Sequence, residues 1–344
     1  MDQSQIVMNN SARLIPQATP AKLPRWRGFN LLGKYSLHQP AFGTFQEWDF
    51  KMIAEWGFNF VRIPLDYRLW MLEGDWRRVN LDALRDLDQA LLWASRHGLH
   101  TCLNFHRAPG YCINKPLEPR DLWTDSEAQE VCAHHWASFA RKYRGIPNEL
   151  LSFDLLNEPN GVDNETYARF VSKMVSAIRG EDSTRLIIVD GTEVGTRPVP
   201  EILSLNVAQA TRGYQPMEVS HYLAPWSPGG GQTPKPSWPL EREGQIIDKA
   251  WLRREWVDPW KELEKQRVGL FVGEWGAYRE TPHEVVLAWM RDQLELWKEA
   301  GWGWALWNFR GDFGPLDSQR KDVQYESFEG HLVDRKMLEL LQEF

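Results

Sequence analysis

Short runs rich in apolar and β-favouring residues alternate along this chain with longer stretches in which apolar residues recur at helical spacing. Eight runs read as strands: residues 26–32, 59–64, 100–106, 150–158, 185–191, 217–222, 269–275 and 303–309. The stretches between them carry helix boundary signals. Thr44 and Glu47 read as a capping box ahead of Trp48, Met52 and Trp56, with Gly57 closing the run. Asn80 precedes Leu84, Leu87, Leu91 and Ala94, ended by Gly98. Thr124 and Glu127 repeat the box before Cys132, Trp136, Phe139 and Tyr143, and Thr281, Pro282 and Glu284 open a helix that Gly301 ends.

Strand–helix alternation implies a parallel sheet. Eight units favour a closed barrel over an open sheet, and 344 residues suit a fold that takes about 250 to more than 400. The expectation is an α/β chain with a single domain of the (β/α)8 TIM-barrel class over 25–344, preceded by a polar N-terminal arm over 1–24. The longest irregular stretch is 223–244, where proline and glycine argue against regular structure. Its glycines 229–231 read as a flexible loop, since no helix start or lysine follows at phosphate-binding spacing.

Composition narrows the function classes. The net charge is −7, from 40 basic and 47 acidic residues, with no basic block, so no nucleic-acid partner is expected. Cys102, Cys112 and Cys132 form no CxxC and read as buried thiols. No apolar run is long enough to cross a bilayer and the N-terminus has no signal-peptide pattern. The expectation is a cytoplasmic monomer with no membrane partner, or a secreted one if a leader has been removed. Tryptophan is abundant, at 19 against 9 tyrosines. An indole ring packs a core and stacks on a sugar equally well, so the count alone favours neither.

Barrel enzymes carry their chemistry at the C-terminal ends of strands. The apolar runs end in Arg62, His106, Asn157-Glu158, His221-Tyr222, Glu274-Trp275 and Trp307-Asn308, so polar and aromatic residues converge on one rim. Two glutamates there can divide acid and base work across a bound sugar. Arg62 is placed to hold Glu274 ionised, Asn157 to bond a sugar 2-hydroxyl, His106 and His221 to bind hydroxyls or orient the glutamates, and Trp307 to floor the subsite. Trp123, Trp226 and Trp238 are loop candidates for sugar platforms, whereas Trp297, Trp302 and Trp304 read as packing.

The segments RGFNLL, FNFVRIP, LNFHRAPGY, FDLLNEPN, VSHYLAPW, VGEWGAY and WALWNFRGDFG, spread over residues 27 to 314, resemble the family 5 glycoside hydrolases, the cellulase family. The resemblance implies a catalytic barrel with Glu158 as acid/base and Glu274 as nucleophile. It implies supporting roles for Arg62, His106, Asn157, His221 and Trp307. It further implies cleavage of β-1,4-linked glucan or glucomannan by double displacement, without cofactor or metal. The alternatives within the family are a β-mannanase or an exo-β-glucosidase. Two positions depart from the family's pattern. A tyrosine often stands two residues after a strand-six histidine; here that residue is Leu223, with Tyr222 one place early. The strand-three segment has Asn104 where an acidic residue is common, a change expected to affect packing.

Two readings from other classes compete. A metal-dependent hydrolase on the same barrel needs clustered ligands, and the first strand runs into NLLGKYS without a His-x-His pair. A non-catalytic carbohydrate-binding barrel suits the tryptophans but has no use for two rim glutamates.

Overall fold

The computed structural model describes residues 15–37, 44–227 and 234–344. Eight parallel strands close into a barrel in sequential order. They are β1 Arg27–Asn30, β2 Phe60–Asp66, β3 His100–Arg107, β4 Leu151–Asp154, β5 Ile187–Asp190, β6 Ala208–Gly213, β7 Leu270–Trp275 and β8 Gly303–Leu306. β1 closes the ring by pairing with β8, in register Arg27 to Trp304.

Seven of the eight expected strands occur, most of them shorter than the apolar run that signals them. The sixth is a correction. It lies at Ala208–Gly213, while Met217–Ser220, inside the run read as a strand, forms a single helical turn. The strand is masked by its own polar residues. Gln209 is buried but satisfied, accepting from the Val199 amide at 3.0 Å and donating to the Val199 carbonyl at 2.8 Å.

The outer layer contains α1 Glu47–Glu55, α2 Arg85–Arg96, α3 Ser126–Lys142, α4 Asn164–Glu181, α5 Asp258–Glu264, α6 His283–Ala300 and α7 Arg335–Glu343. The Thr44–Glu47 box does not form: the residue before α1 is Gln46, and it makes no side-chain cap. α3 is capped by Asp125 rather than Thr124, the carboxylate accepting from the Glu127 and Ala128 amides. Thr281 instead donates to the Val219 carbonyl, and Asp322 caps α6 from a distant loop by accepting from the His283 amide at 2.7 Å. Gly301 ends α6 at φ +79°, a left-handed conformation suited to glycine.

The main core lies between strands and helices, and a second cluster fills the floor of the barrel with Trp26, Phe60, Cys102, Ile188, Ala210 and Phe271. Trp26 stacks on His100, centroids 3.9 Å apart. Ala18 and Leu23, from the segment read as an arm, join this floor, and the Pro20 carbonyl accepts from the Gly269 amide at 2.7 Å. β1 and β2 approach so closely that a Cβ on Gly28 would lie 1.8 Å from the Phe60 carbonyl oxygen. The three cysteines are buried and unpaired. Trp297, Trp302 and Trp304 are buried in the core. In the long loop, Leu240–Arg242 pairs antiparallel with Gln245–Ile247, so its end is regular after all. Residues 229–231 lie outside the described residues. Among the described residues no helix is long and apolar enough to cross a membrane.

Candidate active site

Four side chains, one from β1, one from β7 and two from the end of β4, meet at the C-terminal mouth of the barrel around the Arg62 guanidinium, which is fully buried on β2. Its Nε donates to Asp154 Oδ2 at 2.9 Å. Its Nη1 donates to Asn30 Oδ1 at 3.0 Å and to Glu274 Oε1. Its Nη2 donates to Asn157 Oδ1 at 2.9 Å. Arginine supplies a rigid planar fork, so these contacts fix the four groups relative to one another.

Glu274 lies on β7 just beyond an irregularity in the strand, where the pairing with β6 shifts register between Val272 and Glu274. Its side chain is only 4% exposed. Oε1 faces Arg62, lies 3.7 Å from Arg212 Nη2 and 3.9 Å from His106 Nδ1. Oε2 accepts from the Tyr214 hydroxyl at 3.2 Å. Each of these four contacts is with a donor or a cation.

Glu158 has a different setting. Its side chain is 17% exposed, and among the described residues its one guanidinium hydrogen bond is from Arg212 Nε to Oε1, at 3.3 Å. Burial, reinforced by the neighbouring Glu274 carboxylate and opposed by Arg212, pushes its pKa up to about 8. Charge balance gives the same direction. Asp154, Asp190, Glu158 and Glu274 surround only two guanidiniums, those of Arg62 and Arg212, so complete ionisation would leave unbalanced negative charge in a buried space. The backbone of Glu158 is left-handed, φ +50°, which costs a non-glycine residue about 1–3 kcal/mol. Two contacts hold it there: its amide donates to Asp190 Oδ2 at 2.9 Å, and its carbonyl accepts from the Tyr111 hydroxyl at 2.6 Å.

Asn157 is pinned from two sides. Its Oδ1 accepts from Arg62 Nη2 and from Arg212 Nη2, both at 2.9 Å. That fixes the amide orientation and leaves the buried Nδ2 donor without a partner among the described residues. A buried donor left unpaired is costly unless a ligand completes it.

His106 is buried, and burial with the surrounding arginines holds it well below the usual histidine range, so it is neutral. Its Nε2 accepts from Asn114 Nδ2 at 2.9 Å, leaving Nδ1 protonated. Its ring stacks on half-buried Trp307, centroids 5.6 Å apart. The Tyr35 ring stands edge-on to both.

The strand-six candidates need correction. His221 follows the helical turn, not the barrel strand. Its Nδ1 bonds the Ser220 hydroxyl at 2.8 Å, and its ring packs edge-on against Tyr214, 5.1 Å away. Burial lowers it to about 4. It makes no hydrogen bond to either glutamate among the described residues. The phenol that reaches Glu274 is Tyr214, not Tyr222. Shifting the strand nine residues upstream moves the tyrosine with it, and Tyr214 stands two residues after Arg212 rather than two after a histidine. Arg212, Tyr214, Asp190, Tyr111 and Tyr35 were not candidates from sequence. Only the Arg-Gly-Tyr run after Val207–Thr211 offered a signal, one that polar Gln209 and Thr211 obscured. Asn104 donates to the Asp154 carbonyl at 3.2 Å, tying β3 to β4 below the rim.

Of the three loop tryptophans, Trp238 donates to Asp292 on α6 and Trp123 to the Asn160 carbonyl. Trp226 is 56% exposed and packs edge-on against Tyr278, beside Phe313. Among the described residues no cluster of three His, Cys, Asp or Glu side chains could hold a metal.

A family model described as cellulase (glycosyl hydrolase family 5) matches residues 19–312. Endoglucanase C of Acetivibrio thermocellus is 28% identical over 329 residues, covering 87% of this chain and 95% of that protein. A solved glycoside hydrolase superposes with TM-score 0.87 at 38% identity, covering 93% of this chain and 99% of that one. The endoglucanase Cel5A of Thermotoga maritima superposes with TM-score 0.74 at 25% identity, covering 92% and 96%.

Proposed function

The chain belongs to glycosyl hydrolase family 5, and on that premise we propose that it cleaves β-1,4-linked glucan or glucomannan with retention of configuration. The observation that carries this reading is the contrast between the two rim carboxyls. Glu274 is surrounded by donors and cations, whereas Glu158 is pushed up to about 8 and is open to the cleft. One guanidinium, Arg212, touches both, which keeps them close. Retaining enzymes need such a pair about 5–5.5 Å apart.

The reaction proceeds in two displacements. Glu274 attacks the anomeric carbon as the bond to the leaving oxygen breaks, and Glu158 gives that oxygen its proton. The resulting glycosyl ester on Glu274 is cleaved by a water that surrenders its proton to Glu158, restoring both groups. Arg62 and Tyr214 align the nucleophile. Asn157 offers its free Nδ2 to the sugar 2-hydroxyl, a contact that strengthens in the transition state. His106 directs Nδ1–H toward Glu274 Oε1, 3.9 Å away, and Trp307 provides a flat apolar face for the sugar.

Reducing-sugar release from carboxymethylcellulose, barley β-glucan, glucomannan, mannan, xyloglucan and aryl β-glycosides tests the reading, with Glu274→Ala as control. Release from glucans by the wild type alone is expected. Release from mannan only, or from aryl glycosides only, would replace glucan by mannan or by exo action. Silence on every substrate with sugar binding retained would make the barrel a binding protein.

A further inference from the structure

Arg212 is 1% exposed, and all five of its N–H groups are taken. Nε donates to Glu158 Oε1. Nη1 donates to Asp190 Oδ1 at 3.0 Å and to the Thr211 carbonyl at 3.3 Å. Nη2 donates to Asn157 Oδ1 and to Asp190 Oδ2. No donor is left for a sugar hydroxyl. The side chain also runs through a slot that admits nothing larger than glycine at two points. A Cβ on Gly195 would lie 2.8 Å from Arg212 Cγ, and one on Gly273 would lie 2.7 Å from Nη1.

Asp190 closes a ring with it. One carboxylate oxygen, Oδ2, accepts both from Arg212 and from the Glu158 backbone amide. Glu158 is thus gripped at its backbone by Asp190 and at its carboxyl by the arginine that Asp190 anchors. We propose that Asp190 and Arg212 are a positioning pair that aims the Glu158 carboxyl at the glycosidic oxygen. The inference rests on the reading of Glu158 as the acid/base.

The pair also sets the charge that Glu158 feels. The groups around Glu158 are Arg62 on β2, Asp154 and Asn157 on and after β4, Asp190 on β5, Arg212 on β6, Glu274 on β7, and the phenols of Tyr35, Tyr111 and Tyr214. The three phenols are all pushed upward by burial and stay neutral across the working range. Arg212 lowers the proton affinity of Glu158 and Asp190 raises it, so removing them acts in opposite directions.

The test is the pH dependence of kcat/KM, whose alkaline limb reports loss of the proton from the acid. Asp190→Asn keeps the shape but leaves the Arg212 charge unbalanced, so the alkaline limb moves down, by about one pH unit. Arg212→Gln moves it up. Both variants lose more rate on cellooligosaccharides than on dinitrophenyl glycosides, because only the poor leaving group needs a well-aimed proton. Limbs that stay in place, or equal losses on both substrates, would overturn the proposal and leave the pair a packing element. If Arg212→Gln does not fold, the Asp190→Asn limb alone decides. Glu158→Ala separates the two levels. If that variant loses activitated and natural substrates alike, the acid/base assignment itself fails; if it spares activated ones while the Asp190→Asn limb is unmoved, only the pair fails.

Discussion

Tyr222 is a substrate-binding candidate from sequence whose reach to Glu274 the sequence leaves open, and the structure puts Tyr214 beside that carboxylate, so Tyr214→Phe is an informative substitution. It removes one hydroxyl and keeps the ring that packs against His221. What is lost is a hydrogen bond to Glu274 Oε2 at 3.2 Å. Bonds to charged groups contribute about 1.5–3 kcal/mol, and this one is long, so about 1.5 kcal/mol applies. Arg62 still holds the other oxygen, so the nucleophile is weakened in its aim rather than released. At about 1.4 kcal/mol per factor of ten, kcat/KM on an aryl β-cellobioside falls about tenfold. Tyr222→Phe, by contrast, stays within about twofold of wild type. Steady-state kinetics of the two variants, with melting curves to confirm folding, measures this. A Tyr222→Phe loss larger than that of Tyr214→Phe would refute the placement of β6 and the site built on it.

Other expectations follow from the same geometry. Glu158→Ala should retain turnover of activated aryl glycosides while losing polysaccharide hydrolysis, measured by initial rates on both. Asn157→Ala should lower kcat/KM on ordinary substrates by about a hundredfold, for a contact to the 2-hydroxyl that strengthens in the transition state by about 3 kcal/mol, and by much less on a 2-deoxy glycoside that has no hydroxyl to bond. Wild-type kcat/KM should decline as pH rises through about 8, where Glu158 gives up its proton, because only the protonated form can act in the first step; a decline already complete at pH 6 would assign that limb elsewhere. Gly28→Ala should destabilise the fold by about 3 kcal/mol in denaturant titration, since its Cβ meets the Phe60 carbonyl at 1.8 Å.

The barrel was legible because most of its strands are short apolar runs ended by polar rim residues, and because Gly57, Gly98 and Gly301 mark helix ends. β6 was not, for a physical reason. β6 alternates inward Ala208, Ala210 and Arg212 with the outward polar residues Gln209 and Thr211, so no apolar run marks it, and Gln209 is satisfied by the loop that precedes the strand. A local pattern cannot show that Gln209 is satisfied by Val199. The run 217–222 looked more strand-like but lies outside the barrel. The same limit hid Asp190 and Arg212, whose roles exist only through contacts between strands. The caps at Thr124 and Thr281 failed similarly: each threonine had a competing partner, Asp121 or the Val219 carbonyl, that sequence spacing does not reveal.

The most direct test of the two-step mechanism is to trap its intermediate. Incubation with a dinitrophenyl β-cellobioside carrying fluorine at C2 slows breakdown of the glycosyl ester, and peptide mass mapping locates the label. One sugar unit per chain, on the peptide containing Glu274 and absent from Glu274→Ala, is the expected result. A label on another carboxylate, or no label on an enzyme that releases product of inverted configuration, would contradict Glu274 as the nucleophile.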